Sequence, residues 1–375
     1  MNVSKSIDFL LDNAGDVIKY RLHKEILKDL SKCEEENLLE RVKQTPYYKL
    51  IKSYVKPNGY IGIGMHSWEK FKETPLQDGE SAARLLSNYS IPKDSPIVKN
   101  YIAAIRNEKV LEDEFSYYNP EIARFQNRYL GLKNGGGLMT LIYTMQALLG
   151  YGDDNEEVKS FADISYHAFE SMLTISSMED ITKFNPNLRK KYNYPYVEED
   201  VYLPCSYHLT MLSRTASWRN NDSIKNMAEA INHMNRIMKD DNNVFVKIGS
   251  KYYVPLWAFV RPFKEFNINN HHTVMRRTLT EIAMLGIGDR VEVIKRSADN
   301  VKDAISLDGI LRVNFTSSYQ KKRFIDNFRY PGPYSEVGLE TDYKKEVSIW
   351  CDLTFWAVQF LYILEQNKGK ENTHR

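Results

Sequence analysis

The chain has 375 residues, 42% of them hydrophobic and 27% charged, which describes a folded chain with mass for a large core and excludes wholesale disorder. Lys+Arg at 51 against Asp+Glu at 49 leaves a formal charge of +2, far from the basic excess of a dedicated nucleic-acid binder, which it disfavours. Three scattered cysteines, Cys33, Cys205 and Cys351, exclude a disulfide framework and point to a reducing, cytoplasmic compartment.

The first apolar stretch is interrupted by Asp8 and is too short for a signal peptide. No later stretch approaches the roughly 18 uninterrupted apolar residues of a membrane span, so none is expected. No P-loop, dinucleotide fingerprint, HExxH, GxSxG or paired CxxC is present.

Helix starts recur along the chain. Lysines stand at 49, 99, 159, 225 and 295, at intervals that grow from 50 to 70 residues. Four residues before them come Thr45, Ser95, Asn155, Asn221 and Val291, and four of these five are N-cap types. Pro46, Pro96, Glu156, Asp222 and Glu292 follow, a proline or an acid at the first helical position. Beyond these, Val98, Ile102 and Ile105 mark one apolar helix face, as do Ile294, Ala298 and Val301, whereas Lys52 breaks the face in the first unit.

A second helix precedes each of the later four, carrying Gly79, Ala83 and Leu86; Met139, Tyr143 and Gln146; Cys205, Leu209 and Leu212; and Met275, Leu279 and Ile282 on shared faces. The expectation is one all-α domain over 1–375, an (α/α) toroid of five to six helical hairpins with long loops on one face. Its repeats fall near 20–55, 76–108, 136–174, 202–240 and 271–306, and a closing helix spans 345–364.

The hairpin pattern, Asn-Gly-Tyr-Ile-Gly-Ile-Gly over 58–64, the segment 203–219 and the terminal Trp-Cys-Asp-Leu-Thr-Phe-Trp resemble the α/α-toroid superfamily of terpene cyclases and protein prenyltransferase β-subunits. The nearest resemblance is to small bacterial members. It implies a ring with an aromatic central cavity for an apolar or isoprenoid small molecule. The DxDD acid of the protonating cyclases is missing.

Candidate acid–base residues are Asp78, Glu80, His271, His272 and Asp352, near inner-helix starts and their loops; a carboxylic acid in an apolar pocket can have its pKa raised for proton donation. Candidate substrate-binding residues are His66, Trp68, Tyr202, Tyr207, Trp257, Arg261, Arg276 and Trp350, because aromatic walls and a cation suit a carbocation, a sugar ring or an anionic group. No metal is expected. Asp153 to Glu157 imitate a magnesium site but fall at a turn and cap, and Cys205 with His208 imitates half a zinc site but falls in packed columns. Two further readings stand beside the leading one: a carbohydrate-active (α/α) barrel using paired carboxylates, and a non-catalytic binding scaffold. Substrate, reaction and oligomeric state are not readable from the sequence.

Overall fold

The computed structural model describes residues 3–66, 78–115, 136–187, 194–198, 201, 203–240, 243–254, 258–269, 273–315, 317–329 and 338–368. Helices dominate these residues. The early ones are α1 (Ser4–Asn13), α2 (Asp16–Arg21), α3 (Lys32–Lys43) and α4 (Pro46–Ser53). Paired helices follow: α5 (Gly79–Asn88) with α6 (Pro96–Ile105), then α7 (Glu108–Glu114), and α8 (Gly136–Leu148) with α9 (Glu156–Glu170). Next come α10 (Ser206–Arg214) with α11 (Asn221–Ile237), and α12 (Thr273–Met284) with α13 (Glu292–Ile305). The last two are α14 (Ser318–Arg329) and α15 (Glu346–Lys368).

The chain forms two compact units. One comprises Met1–Ser116, Glu265–Met284 and Ile294–Arg375, the other Tyr117–Lys264 and Leu285–Val293. In the first, α15 packs against α1, α2 and α12. In the second, α8 packs against α10, and α9 against α8, α10 and α11.

The helix pairs begin and turn as the repeat requires. Thr45, Ser95 and Asn155 are the N-caps of α4, α6 and α9. Only Asn155 accepts backbone N–H groups through its side chain, from Glu157 at 2.8 Å and Val158 at 3.3 Å; where proline occupies the first turn, Thr45 and Ser95 make no such bond. The start of α11 is one residue earlier than expected, with Asn220 as the cap on Ser223 N–H at 2.9 Å.

Nine residues before the repeat lysine stand Ser90, Gly150 and Gly286, all with positive φ, the left-handed residue that ends a helix. Paired end bonds accompany the first two, Ser90 N–H to Ser87 O with Ile91 N–H to Leu86 O, and Gly150 N–H to Ala147 O with Tyr151 N–H to Gln146 O. Ala216 occupies the same column without a positive φ. Its turn is braced instead by Asp153, whose carboxylate accepts the N–H of Ala216 at 2.9 Å and of Ser217 at 3.1 Å. The acidic run at 153–157 therefore serves turns and caps.

Burial follows the predicted faces. Val98, Ile102 and Ile105 on α6 and Ile294, Ala298 and Val301 on α13 are buried, whereas in the first unit Lys52 and Val55 are exposed. The first helices of the later pairs are buried on nearly every side, and α15 is buried throughout Cys351–Val358. By length and composition α15 is the one helix among the described residues apolar enough to cross a membrane, but 67% of its most apolar window is buried, as in a core helix.

The chain is mostly helical, as expected, with one small sheet added. Tyr196–Glu198 (β1), Phe245–Ile248 (β2) and Lys251–Tyr253 (β3) form a sheet in the second unit, ordered β1-β2-β3. Tyr196 pairs with Phe245 in the parallel register and Val246 with Tyr253 in the antiparallel one. These segments are rich in aromatic and β-branched residues, which suit a pleated surface, and Gly249 at φ +57 makes the tight turn between β2 and β3. Helical periodicity elsewhere hides strands this short.

Candidate functional site

The first helix of each later pair carries a polar column. Glu80, Thr140, Ser206 and Arg276 occupy one position in the four repeats, with Arg84, Thr144, Thr210 and Thr280 one turn later. In three pairs the threonine hydroxyl donates to the carbonyl one turn back: Thr144 to Thr140 at 2.6 Å, Thr210 to Ser206 at 3.0 Å and Thr280 to Arg276 at 2.9 Å. Each is a back-bond within its own helix. The α5 pair instead places an acid there, paired with a guanidinium one turn later.

Glu80 is fully buried. Arg84 Nε donates to its Oε1 at 2.8 Å, and His66 Nδ1 lies 2.8 Å from its Oε2. Burial pushes the Glu80 carboxyl up, but the neighbouring Arg84 charge and the His66 and Arg84 contacts outweigh it and hold the group below the usual carboxylate value. An ionised carboxylate can only accept, so His66 meets Glu80 through an Nδ1 that acts as the donor. Carboxylate, imidazole and guanidinium thus form one hydrogen-bonded cluster, with the His66 side chain 13% exposed.

The surroundings fix this geometry. Asp78 caps α5, its side chain accepting Ser81 N–H at 2.7 Å. Gly79 N–H donates to Gly64 O and Glu80 N–H to Met65 O, each at 3.0 Å, tying the loop that carries His66 to the helix start. The Tyr60 hydroxyl donates to Gly64 O and that of Tyr101 to Gly79 O, each at 2.8 Å. No side chain fits at Gly79, because a Cβ there would lie 2.5 Å from the Tyr60 hydroxyl and 2.6 Å from that of Tyr101.

Other expected residues are dispersed. Arg276, 1% exposed, lies with its guanidinium carbon 5.5 Å from the Phe324 ring centroid and 5.9 Å from that of Trp356. The Trp356 indole donates to Thr280 Oγ1 at 3.0 Å. Trp350 lies beneath the Arg312 guanidinium, 4.9 Å away. Tyr207 is fully buried in α10, and Arg261 is exposed and donates to Asn243 at 3.0 Å. Trp68, Tyr202, Trp257, His271 and His272 lie outside the described residues.

Asp352 is buried in α15 and holds the preceding loop, accepting Leu339 N–H at 3.0 Å, Glu340 N–H at 3.2 Å and the Tyr343 hydroxyl. Burial pushes its carboxyl up. Of the five expected acid–base residues, only Glu80 is joined to an imidazole among the described residues, and its partner His66 was expected on the substrate-binding side.

Cys205 and His208 belong to one helix cap. The Cys205 N–H donates to His208 Nδ1 at 3.3 Å, and burial lowers the imidazole to about 4, so it stays neutral. Among the described residues no three His, Cys, Asp or Glu side chains are grouped to hold a metal ion.

Sequence reasoning missed Arg84, Glu340 and Tyr343. The i, i+4 spacing of Glu80 and Arg84 was a usable signal, whereas the loop residues Glu340 and Tyr343 fall outside any periodic pattern. Comparison with family models, curated proteins and solved structures finds no match for the chain.

Proposed function

We propose that this chain is an α/α-toroid enzyme of the terpene-cyclase and prenyltransferase type, acting in a reducing cytoplasm on an apolar, isoprenoid-class small molecule. His66 is its proton-transfer residue and Glu80 orients the imidazole. The observation that supports this most is the Glu80–His66 contact at 2.8 Å, with the second Glu80 oxygen held by buried Arg84. A buried carboxylate that fixes an imidazole tautomer is the arrangement general acid–base catalysis uses. The ring is supported by the helix-pair repeat and by the packing of first helices on one another, α8 on α10 in one unit and α12 on α15 in the other.

The carbohydrate-active reading, which needs two carboxylates facing each other across a gap, draws no support from Asp352, whose oxygens are engaged by backbone and hydroxyl donors. The test is incubation of the purified chain with prenyl diphosphates and polyenes of graded length, with mass-spectrometric product analysis. His66→Gln is expected to lower turnover about 10²–10⁴-fold while leaving circular dichroism unchanged. Turnover unaffected by His66→Gln, or no binding of any member of the series, overturns the reading.

A further inference from the structure

The turn that leads into the His66 loop holds a labile dipeptide under the grip of one carboxylate. Asn58 is exposed and is followed by Gly59. Asparagine is thermolabile, and most so before glycine, where no side chain keeps the next backbone nitrogen away from the carboxamide. Here the carboxamide is engaged at both ends. Its Oδ1 accepts the Tyr60 N–H at 3.0 Å, and its Nδ2 donates to Glu114 Oε1 at 3.0 Å. The Gly59 N–H, the group that would attack, donates to Lys56 O at 2.9 Å and closes the turn. Glu114 ends α7 with its side chain 11% exposed, and its other oxygen takes the Lys56 ammonium.

We propose that Asn58–Gly59 is a self-modification site that Glu114 keeps closed. Once the clamp opens, the Gly59 nitrogen bonds to Asn58 Cγ, the Cγ–Nδ2 bond breaks, and Nδ2 leaves as ammonia with the Gly59 proton. The product is a cyclic imide. Solvent water then adds to one of its carbonyls. Breaking the Cγ–N bond gives aspartate, and breaking the bond from the Asn58 backbone carbonyl to nitrogen gives isoaspartate. One water is consumed, one ammonia is released, and nothing is oxidised or reduced.

For the attack the carboxamide must turn toward the Gly59 nitrogen, which breaks its bonds to Tyr60 and Glu114, and that nitrogen must leave Lys56 O. The bond to Glu114 is the strong one, because an ionised acceptor holds a donor about twice as firmly as a neutral one. Glu114 therefore carries most of the protection. Either product undoes the turn. Aspartate sets a second carboxylate where Nδ2 now lies 3.0 Å from Glu114, a like-charge contact. Isoaspartate adds a methylene to the main chain beside Gly59, where a Cβ would already lie 2.7 Å from Asn100 O. The same loop runs on to His66, so the modification reaches the proposed site from outside it.

The test incubates the intact chain in mildly alkaline buffer and follows the amide-to-acid mass increase at Asn58 by peptide mapping. The folded parent is expected to convert at least about tenfold more slowly than the same chain unfolded in urea. Glu114→Ala is expected to speed conversion in the folded chain at least about fivefold. Glu114→Gln keeps the bulk and a neutral acceptor, so its rate should fall between, at least about twofold above the parent. Circular dichroism checks that each variant is folded, and where Glu114→Ala is not, Glu114→Gln decides the matter. Conversion of the folded parent at the urea rate, or folded Glu114 variants converting at the parent rate, overturns the proposal.

Discussion

Replacing Glu80 by Leu removes the anion that pairs with buried Arg84 and the partner of His66 Nδ1. Breaking one side of a buried pair costs about 3–5 kcal/mol, because the remaining charge stays out of water without that partner. At about 2–4 °C per kcal/mol, the melting temperature should fall by roughly 6–20 °C. Arg84→Leu should cost less, since His66 still lies 2.8 Å from the carboxylate.

The informative variant is the double one, Glu80→Leu with Arg84→Leu. An apolar pair of similar bulk is about as stable as a buried ion pair, so the double variant should return to within about 1–2 kcal/mol of the parent. Calorimetry on the four proteins of the cycle reads the coupling directly. The pH dependence gives a second check. Glu80 is held below the usual carboxylate value when folded, so its contribution is present above 4.5 and is lost as pH falls through the folded value; Glu80→Leu should flatten that acid limb. Single-variant costs below about 1 kcal/mol, or a double variant equal to the sum of the singles, would refute the ion-pair account.

Gly79→Ala should destabilise the chain by about 1–3 kcal/mol through overpacking against the Tyr60 and Tyr101 hydroxyls, with partial recovery in the added Tyr60→Phe background; a neutral effect in thermal melts would show that the tyrosines yield freely. In the second unit, His208 is lowered to about 4 by burial, so stability should rise as pH increases from about 4 to its ordinary 6.5, by up to about 3 kcal/mol. His208→Gln should remove that slope in denaturant titrations at successive pH values, and an unchanged slope would assign it elsewhere.

Local chemistry made most of the helix pairs legible. Proline or acid after an N-cap residue and apolar spacing of three and four each act within one or two turns, so the sequence alone determined the starts of α4, α6 and α9 and the buried faces of α6 and α13. It also placed Asp153–Glu157 at a turn and Cys205 with His208 among packed residues, because column alignment compares equivalent sites. The β1–β2 pairing was invisible, since it joins Tyr196 to Phe245 across 49 positions and leaves no periodic trace, whereas β2 and β3 form a local hairpin that the helical reading passed over.

Only tertiary structure decided which polar residues meet. His66 reaches Glu80 because Gly64 and Met65 accept the N–H groups that begin α5, and Glu340 reaches Gly15 because α1 and α2 pack against α15. Such contacts join residues without a shared period, and their energies depend on burial, a property of the packed unit.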